Sequence, residues 1–110
     1  MGRFIGVLGL MLLSPACSKE FVEEADLTVV NEGVEEVRVN SYSYDWRNEV
    51  NHERHFSVAP GDSRTVRFSD VFSLAVTVRR SSDLSEIFHA EWTADELKDL
   101  HRKVTVTVSP

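Results

Sequence analysis

With a single cysteine, Cys17, in 110 residues, the chain has no means of forming an internal disulfide. Its fold must rest on apolar burial instead. Glycine is scarce where it would carry chemistry: of five, only Gly33 and Gly61 lie beyond residue 10, both in turn contexts. That excludes a glycine-rich phosphate cradle, and no G-x-S-x-G nucleophile elbow is present either. Long hydrophobic runs are missing too. The longest, Phe4 to Leu13, has ten residues, half of the roughly 20 that a membrane-spanning helix needs. Positive charge is in deficit, with 12 Lys and Arg against 18 Asp and Glu for a net charge of −6. The densest basic pairs are Arg79-Arg80 and Arg102-Lys103, far short of a basic patch. Nucleic acid is therefore a poor partner, and adhesion to anionic lipid by charge alone is disfavoured.

What is present begins with the short apolar run itself. Arg3 gives a positive start, Phe4 to Leu13 an apolar middle, and Ser14, Pro15 and Ala16 a small or helix-breaking end just before Cys17. That is the layout of a secretory signal peptide. Because the lone cysteine stands at the expected cleavage point, residues 1–17 resemble the signal peptide of bacterial lipoproteins. The resemblance implies cleavage before Cys17, fatty acylation (palmitate) of its thiol and of the new amino terminus, and a lipid anchor in the cell envelope. Ser18, after the cysteine, would permit sorting to the outer membrane, with the domain facing the periplasm or the cell surface. One position departs from the family pattern, Ser14 where Leu is usual. Ser14 and Ala16 also suit an ordinary signal peptidase, which would leave Cys17 as a free thiol.

The expected organisation is a signal peptide over 1–16, a lipidated cysteine with an acidic tether over 17–25, and one domain over 26–110. Removing the 16 signal residues leaves 94, enough for one domain and too few for two. Removing Arg3 from the basic residues leaves eleven against 18 acidic ones, a net charge of −7.

Alternation of apolar and polar residues then sets the strands. Leu27 and Val29 open the first, which Asn31-Glu32-Gly33 ends, and Val37 and Val39 begin the second. After Asn40 the large residues are Tyr42, Tyr44 and Trp46, on even positions instead of odd. If those rings face inward with Ser41, Ser43 and Asp45 facing water, a bulge or break is required near Asn40-Ser41. Residues 45–54 are the most polar part and predict a loop or hairpin. Phe56 and Val58, then Val66 and Phe68, flank Ala59-Pro60-Gly61-Asp62, the residues of a type II turn. The phrase VAPGDSRTVRF resembles hairpins of exported β-sandwich domains, generically. Phe72, Leu74, Val76 and Val78 predict one inward face of a central strand, and Phe88, Ala90 and Trp92 that of the next. Thr93-Ala94-Asp95-Glu96 is a capping box opening a helix to about Leu100, with Leu97 and Leu100 packing inward. Val104, Val106 and Val108 close the chain. Six to seven short strands with one minor helix before the last predict an all-β fold, a small antiparallel β-sandwich of immunoglobulin-like or similar type, with a small closed barrel as the alternative.

Candidate sites are few. Tyr42, Tyr44 and Trp46 form a possible ligand face for sugar rings or a partner peptide, weighed against plain cross-strand packing. His52 and His55 are the best metal candidates, perhaps with Glu49, Glu53, His89 or His101 as further ligands. Residues i and i+3 of a strand point to opposite faces, however, and solvated loop histidines explain the pair more simply. The acidic set Glu20, Glu23, Glu24, Asp26, Glu32, Glu35 and Glu36 lacks the spacing of a calcium loop. The sequence thus predicts no enzyme and no cofactor, but a membrane-anchored, non-catalytic binding or structural module of the bacterial envelope. Its partners would be the membrane through acylated Cys17 and another envelope protein or a glycan. A glycan- or peptide-binding module using the Tyr42 face, and a metal-binding protein using His52 and His55, are the alternatives.

Overall fold

The computed structural model describes residues 24–110. The signal segment, Cys17 and the tether up to Glu23 lie outside the described residues. Seven strands and one helix follow in order: β1 Ala25–Asn31, β2 Val37–Tyr44, β3 Val50–Val58, β4 Ser63–Phe68, β5 Ser73–Arg80, β6 Glu86–Trp92, α1 Ala94–Asp99 and β7 Lys103–Val108. They form two sheets, a three-stranded one in the order β4-β1-β7 and a four-stranded one in the order β3-β2-β5-β6. All pairings are antiparallel except β1 with β7, which is parallel. The fold is the expected all-β sandwich with its helix before the last strand. Its strands are dealt between the sheets differently from the ABED and CFG sheets of an immunoglobulin constant domain.

The core lies between the sheets and is built mainly from Val and Leu at alternate strand positions. Leu27 and Val29 of β1, Val37 and Val39 of β2, Leu74, Val76 and Val78 of β5, and Val104, Val106 and Val108 of β7 are all buried. Such β-branched side chains favour a pleated, buried surface. β5 pairs on both sides, with β2 and β6, and its Leu74, Ala75, Val76 and Val78 are all buried. Three strands cover four, so the inward residues of β6 are only partly covered, and Ile87, Phe88 and Trp92 pack against the core from its margin. Ile87 joins Phe88 there because a register shift between Val78 and Arg79 leaves it as the extra residue of a bulge.

Three inward assignments are corrected. β2 runs without a break through Asn40-Ser41: Ser41 and Ser43 continue the buried face of Val37 and Val39, while Tyr42 and Tyr44 share the opposite face with Asn40. Burial of two serines is tolerated because each hydroxyl is bonded, Ser41 Oγ to the Arg54 carbonyl at 3.1 Å and Ser43 Oγ to Asn51 Oδ1 at 2.6 Å. The irregularity sits later, where Tyr44 pairs with Val50 and Ser43 with His52, so that Asn51 of β3 is the bulged residue. Phe72 precedes β5 and is 49% exposed, and Leu100, at the helix C-cap, is 44% exposed. Only Leu97 of the helical pair enters the core.

The turns follow their residues. Asp62 N donates to the Ala59 carbonyl at 3.1 Å and Gly61 has φ +77, as a Pro-Gly type II turn requires. Asn31 is fully buried, a structural role that its place before Gly33 does not advertise. Its Nδ2 donates to the carbonyls of Glu35 (2.7 Å) and Val58 (3.1 Å), and its Oδ1 accepts from Gly33 N at 2.9 Å. Gly33 in turn lies under Pro110, where a Cβ would meet backbone at 2.4 Å. The capping box is complete: Glu96 N donates to Thr93 Oγ1 at 3.2 Å, and Thr93 N to Glu96 Oε1 at 2.9 Å.

Candidate functional site

The three aromatic residues of β2 and its turn do not form one flat platform. Tyr42 and Tyr44 are half-buried on the outer face of the four-stranded sheet, and the Tyr42 ring meets His55 edge-on at 6.1 Å between centroids. Trp46 lies beyond the strand, in the β2–β3 turn, and is 74% exposed. That turn is rigidly made. Asp45 N donates to the Glu49 carbonyl at 2.9 Å, and Asp45 Oδ1 accepts from the amides of Arg47 (2.9 Å) and Glu49 (3.1 Å). Asn48 takes the left-handed conformation, φ 65, which asparagine tolerates better than most residues. The Glu49 amide, with the Arg47 guanidinium 3.2 Å away, holds the Asp45 carboxyl below the usual carboxylate range. The Arg47 guanidinium also stands 5.5 Å from the indole centroid of Trp46, so turn and ring are fixed together.

Beside this turn stands the segment between β4 and β5. Phe72 N donates to the Tyr44 carbonyl at 2.8 Å, and the bulged Asn51 sends its Nδ2 to the Asp70 carbonyl at 2.9 Å. The third wall is α1. Arg102, just after it, donates from Nε to the Glu24 carbonyl at 2.8 Å and from Nη2 to the Val71 carbonyl. These three segments enclose a half-open cleft of about 890 Å³ at one end of the sandwich, within the roughly 300–1,000 Å³ typical of small-ligand sites. Trp46 and Phe72 supply its aromatic surface, and Asp45, Asp70, Asp95, Lys98 and Arg102 its charged groups. Tyr44 lines a smaller depression of about 390 Å³ with Trp92 and Glu91. Of the predicted face, then, only Trp46 reaches the large cleft. Phe72, which alternation had assigned to the core, is the aromatic residue that sequence reasoning missed. Its position close behind Ser69-Asp70, a turn-forming pair in which Asp70 takes φ 55, is the signal that it precedes the strand.

The histidines are separated as strand geometry demands. His55 pairs across from Asn40 on the outer face, whereas His52 pairs with Ser43, whose side chain points inward. His55 is engaged at both nitrogens: the Asn40 amide nitrogen donates to Nδ1 at 2.7 Å while its oxygen accepts from Arg79, and Nε2 faces Glu53 at 3.5 Å. His89 repeats the arrangement on β6, with Thr77 Oγ1 at 2.8 Å from Nδ1 and Glu91 at 3.2 Å from Nε2. Such neighbours consume the lone pairs a metal would use. Glu49 ion-pairs with Arg47, and His101 follows the helix with φ 55. Among the described residues no three His, Cys, Asp or Glu side chains are grouped to hold a metal ion.

Neither a protein family nor a curated protein sequence matches this chain. Solved structures do match in fold. One, described as "Trapped Toxin", is similar with a TM-score of 0.52 at 15% identity, over 80% of this chain and 21% of that one. The chain thus spans about a fifth of the length of that protein, and the likeness is one of fold alone.

Proposed function

We propose that this protein is a non-catalytic binding module of the bacterial cell envelope, moored to a membrane through acylated Cys17 and engaging its ligand with the cleft between Trp46, Phe72 and α1. The anchor half of this reading rests on the lipoprotein-like stretch 1–17. No helix among the described residues is long and apolar enough to cross a membrane. The observation that carries the binding half is the exposure of two large aromatic side chains, Trp46 and Phe72, in one cleft whose walls are tied by hydrogen bonds. Exposed aromatics grouped on a rigid loop end are what a binding surface needs, since little ordering entropy is then lost on contact. The two sheet faces offer nothing comparable. The outer face of the three-stranded sheet is a layer of paired polar groups such as Thr28 with Thr65 at 2.8 Å and Asp26 with Arg67, and the outer face of the four-stranded sheet is closed by the Asn40, His55, Thr77 and His89 contacts.

Hydroxyl-radical footprinting tests the binding half in place. Trp46 and Phe72 are expected to oxidise several-fold more slowly in intact envelopes than in the purified mature protein, while Trp92 oxidises equally in both. Equal rates for Trp46 in the two preparations would refute the cleft as the contact surface.

A further inference from the structure

We infer that the end of the sandwich carrying the cleft lies against the bilayer that holds Cys17, with Trp46, Val50, Phe72 and Leu100 seated among zwitterionic lipid headgroups. This rests on the proposed anchor and on the reading of the cleft as the contact surface, and it names that surface's partner as neutral lipid.

The first step is where the chain leaves the fold. Arg102 donates from Nε to the Glu24 carbonyl at 2.8 Å and from Nη2 to the Val71 carbonyl. Glu24, where the described chain begins, is thereby held to the cleft wall that Arg102 and Val71 line. Cys17 precedes Glu24 by seven residues, and seven residues span at most about 25 Å even when fully extended. An acyl chain on Cys17 therefore brings this end of the domain nearest the headgroups, at the high effective concentration of a linked site. The opposite end stands a strand's length farther away, about 20 Å.

The second step is where the exposed apolar side chains lie. Among the described residues, Trp46, Val50, Phe72 and Leu100 are exposed at this end. Val50 pairs with Tyr44, whose carbonyl accepts from Phe72 N at 2.8 Å. Trp46 lies in the turn between Tyr44 and Val50, and Leu100 caps α1 just before Arg102. Only Val34 and Leu84 are their counterparts at the other end, in turns joined there by Ser81 N donating to the Glu36 carbonyl at 3.1 Å. Val50 and Leu100 lie outside the cleft lining. A small ligand filling the cleft would leave both in water, whereas a broad apolar layer reaches all four side chains.

The third step selects the headgroup. The lining sets Asp45, Asp70 and Asp95 against Lys98 and Arg102, a balance that does not draw anionic lipid. Contact then comes from apolar insertion, and an exposed indole, apolar in its body and polar at its N–H, suits the interface between water and hydrocarbon. Lys98 can extend its ammonium to lipid phosphates along a flexible stem. Asp70 and Asp95 meet the cationic amines of the same headgroups. A zwitterionic lipid supplies both signs at once.

The test reconstitutes the mature acylated chain into vesicles of phosphatidylcholine, with and without bromine on the acyl chains, and reads tryptophan quenching by the bromine. W92F reports Trp46 alone, and W46F reports Trp92 alone. Trp46 should be quenched several-fold more than Trp92. L100D and F72D, which put a carboxylate into the interface, should each reduce the quenching of Trp46 by about twofold or more. V34D, at the opposite end, should leave it unchanged, and all variants should float equally with the vesicles. Should F72D lower the thermal midpoint, L100D carries the comparison. Raising salt should not change the quenching, since apolar contact is not screened. Equal quenching of Trp46 and Trp92 in chains that float with the vesicles would overturn the inference. If Trp46 is nonetheless protected in intact envelopes, the partner is a protein or a glycan: lipid falls and the cleft stands. If protection is absent as well, both fall. A mature chain without an acyl group on Cys17 that does not float removes the anchor and the inference with it.

Discussion

Asn31 and Asp26 sit five residues apart on β1 and act on stability in different ways. Asn31, itself fully buried, satisfies the buried Val58 carbonyl together with the part-buried Glu35 carbonyl and Gly33 amide. N31A strands those groups, so a loss of about 2–4 kcal/mol in urea unfolding is expected, at the upper end for a single buried polar side chain. Nothing in the sequence distinguished this residue from an ordinary turn asparagine, because its partners Glu35 and Val58 are fixed only once the sheets have packed. Asp26, by contrast, is a surface residue whose carboxyl is held below the usual range first by its hydrogen bond from Arg67, at 2.8 Å. Since the folded value lies below the unfolded one, near 3.9, the contribution is present above that pH and fades as pH falls through the folded value. D26N should therefore lower the urea midpoint slightly at pH 7 and leave it unchanged near pH 2, the effect being small because the pair is solvent-screened. A larger deficit at pH 2 than at pH 7 would contradict that sign.

At the scale of elements, the parts that local chemistry specifies were legible and the parts that depend on facing were not. The capping box at Thr93 and Glu96, the Pro60-Gly61 turn and the valine alternation of β7 each follow from rules acting within a few residues. β2 buries the opposite face from the one its large rings suggest. Its parity from Val37 to Ser43 is in fact unbroken, and large size did not decide which side is buried. The serines fit inside because Arg54 and Asn51 of β3 supply acceptors, information that belongs to the neighbouring strand. Helix α1 gives the sharpest contrast. L97A should cost about 2–5 kcal/mol by opening a cavity under the helix, whereas L100A, one turn later and exposed, should fall within about 0.5 kcal/mol of the parent. Similar losses for both would mean that the helix packs on a different face.

For the molecule as a whole, the sandwich was readable from its turn spacing, but the cleft was not. It is assembled from residues 45–51, 70–72 and 94–102, three segments that meet only because β2, β5 and β6 are neighbours in one sheet and α1 returns across their end. Trp46 was among the residues singled out for ligand contact, for a strand face it does not share, and Phe72 was set in the core. The domain has its charged, hydrogen-bonded sheet faces turned to water and its exposed aromatics collected at one end. The proposed function, a binding module held near its ligand, depends on the anchor. Intact-mass and N-terminal peptide mass spectrometry of the protein recovered from the membrane fraction tests this most directly. The account predicts a chain beginning at Cys17 and carrying fatty acyl groups on that residue; a chain beginning at Met1 with an unmodified thiol, recovered from the cytosol, would contradict it.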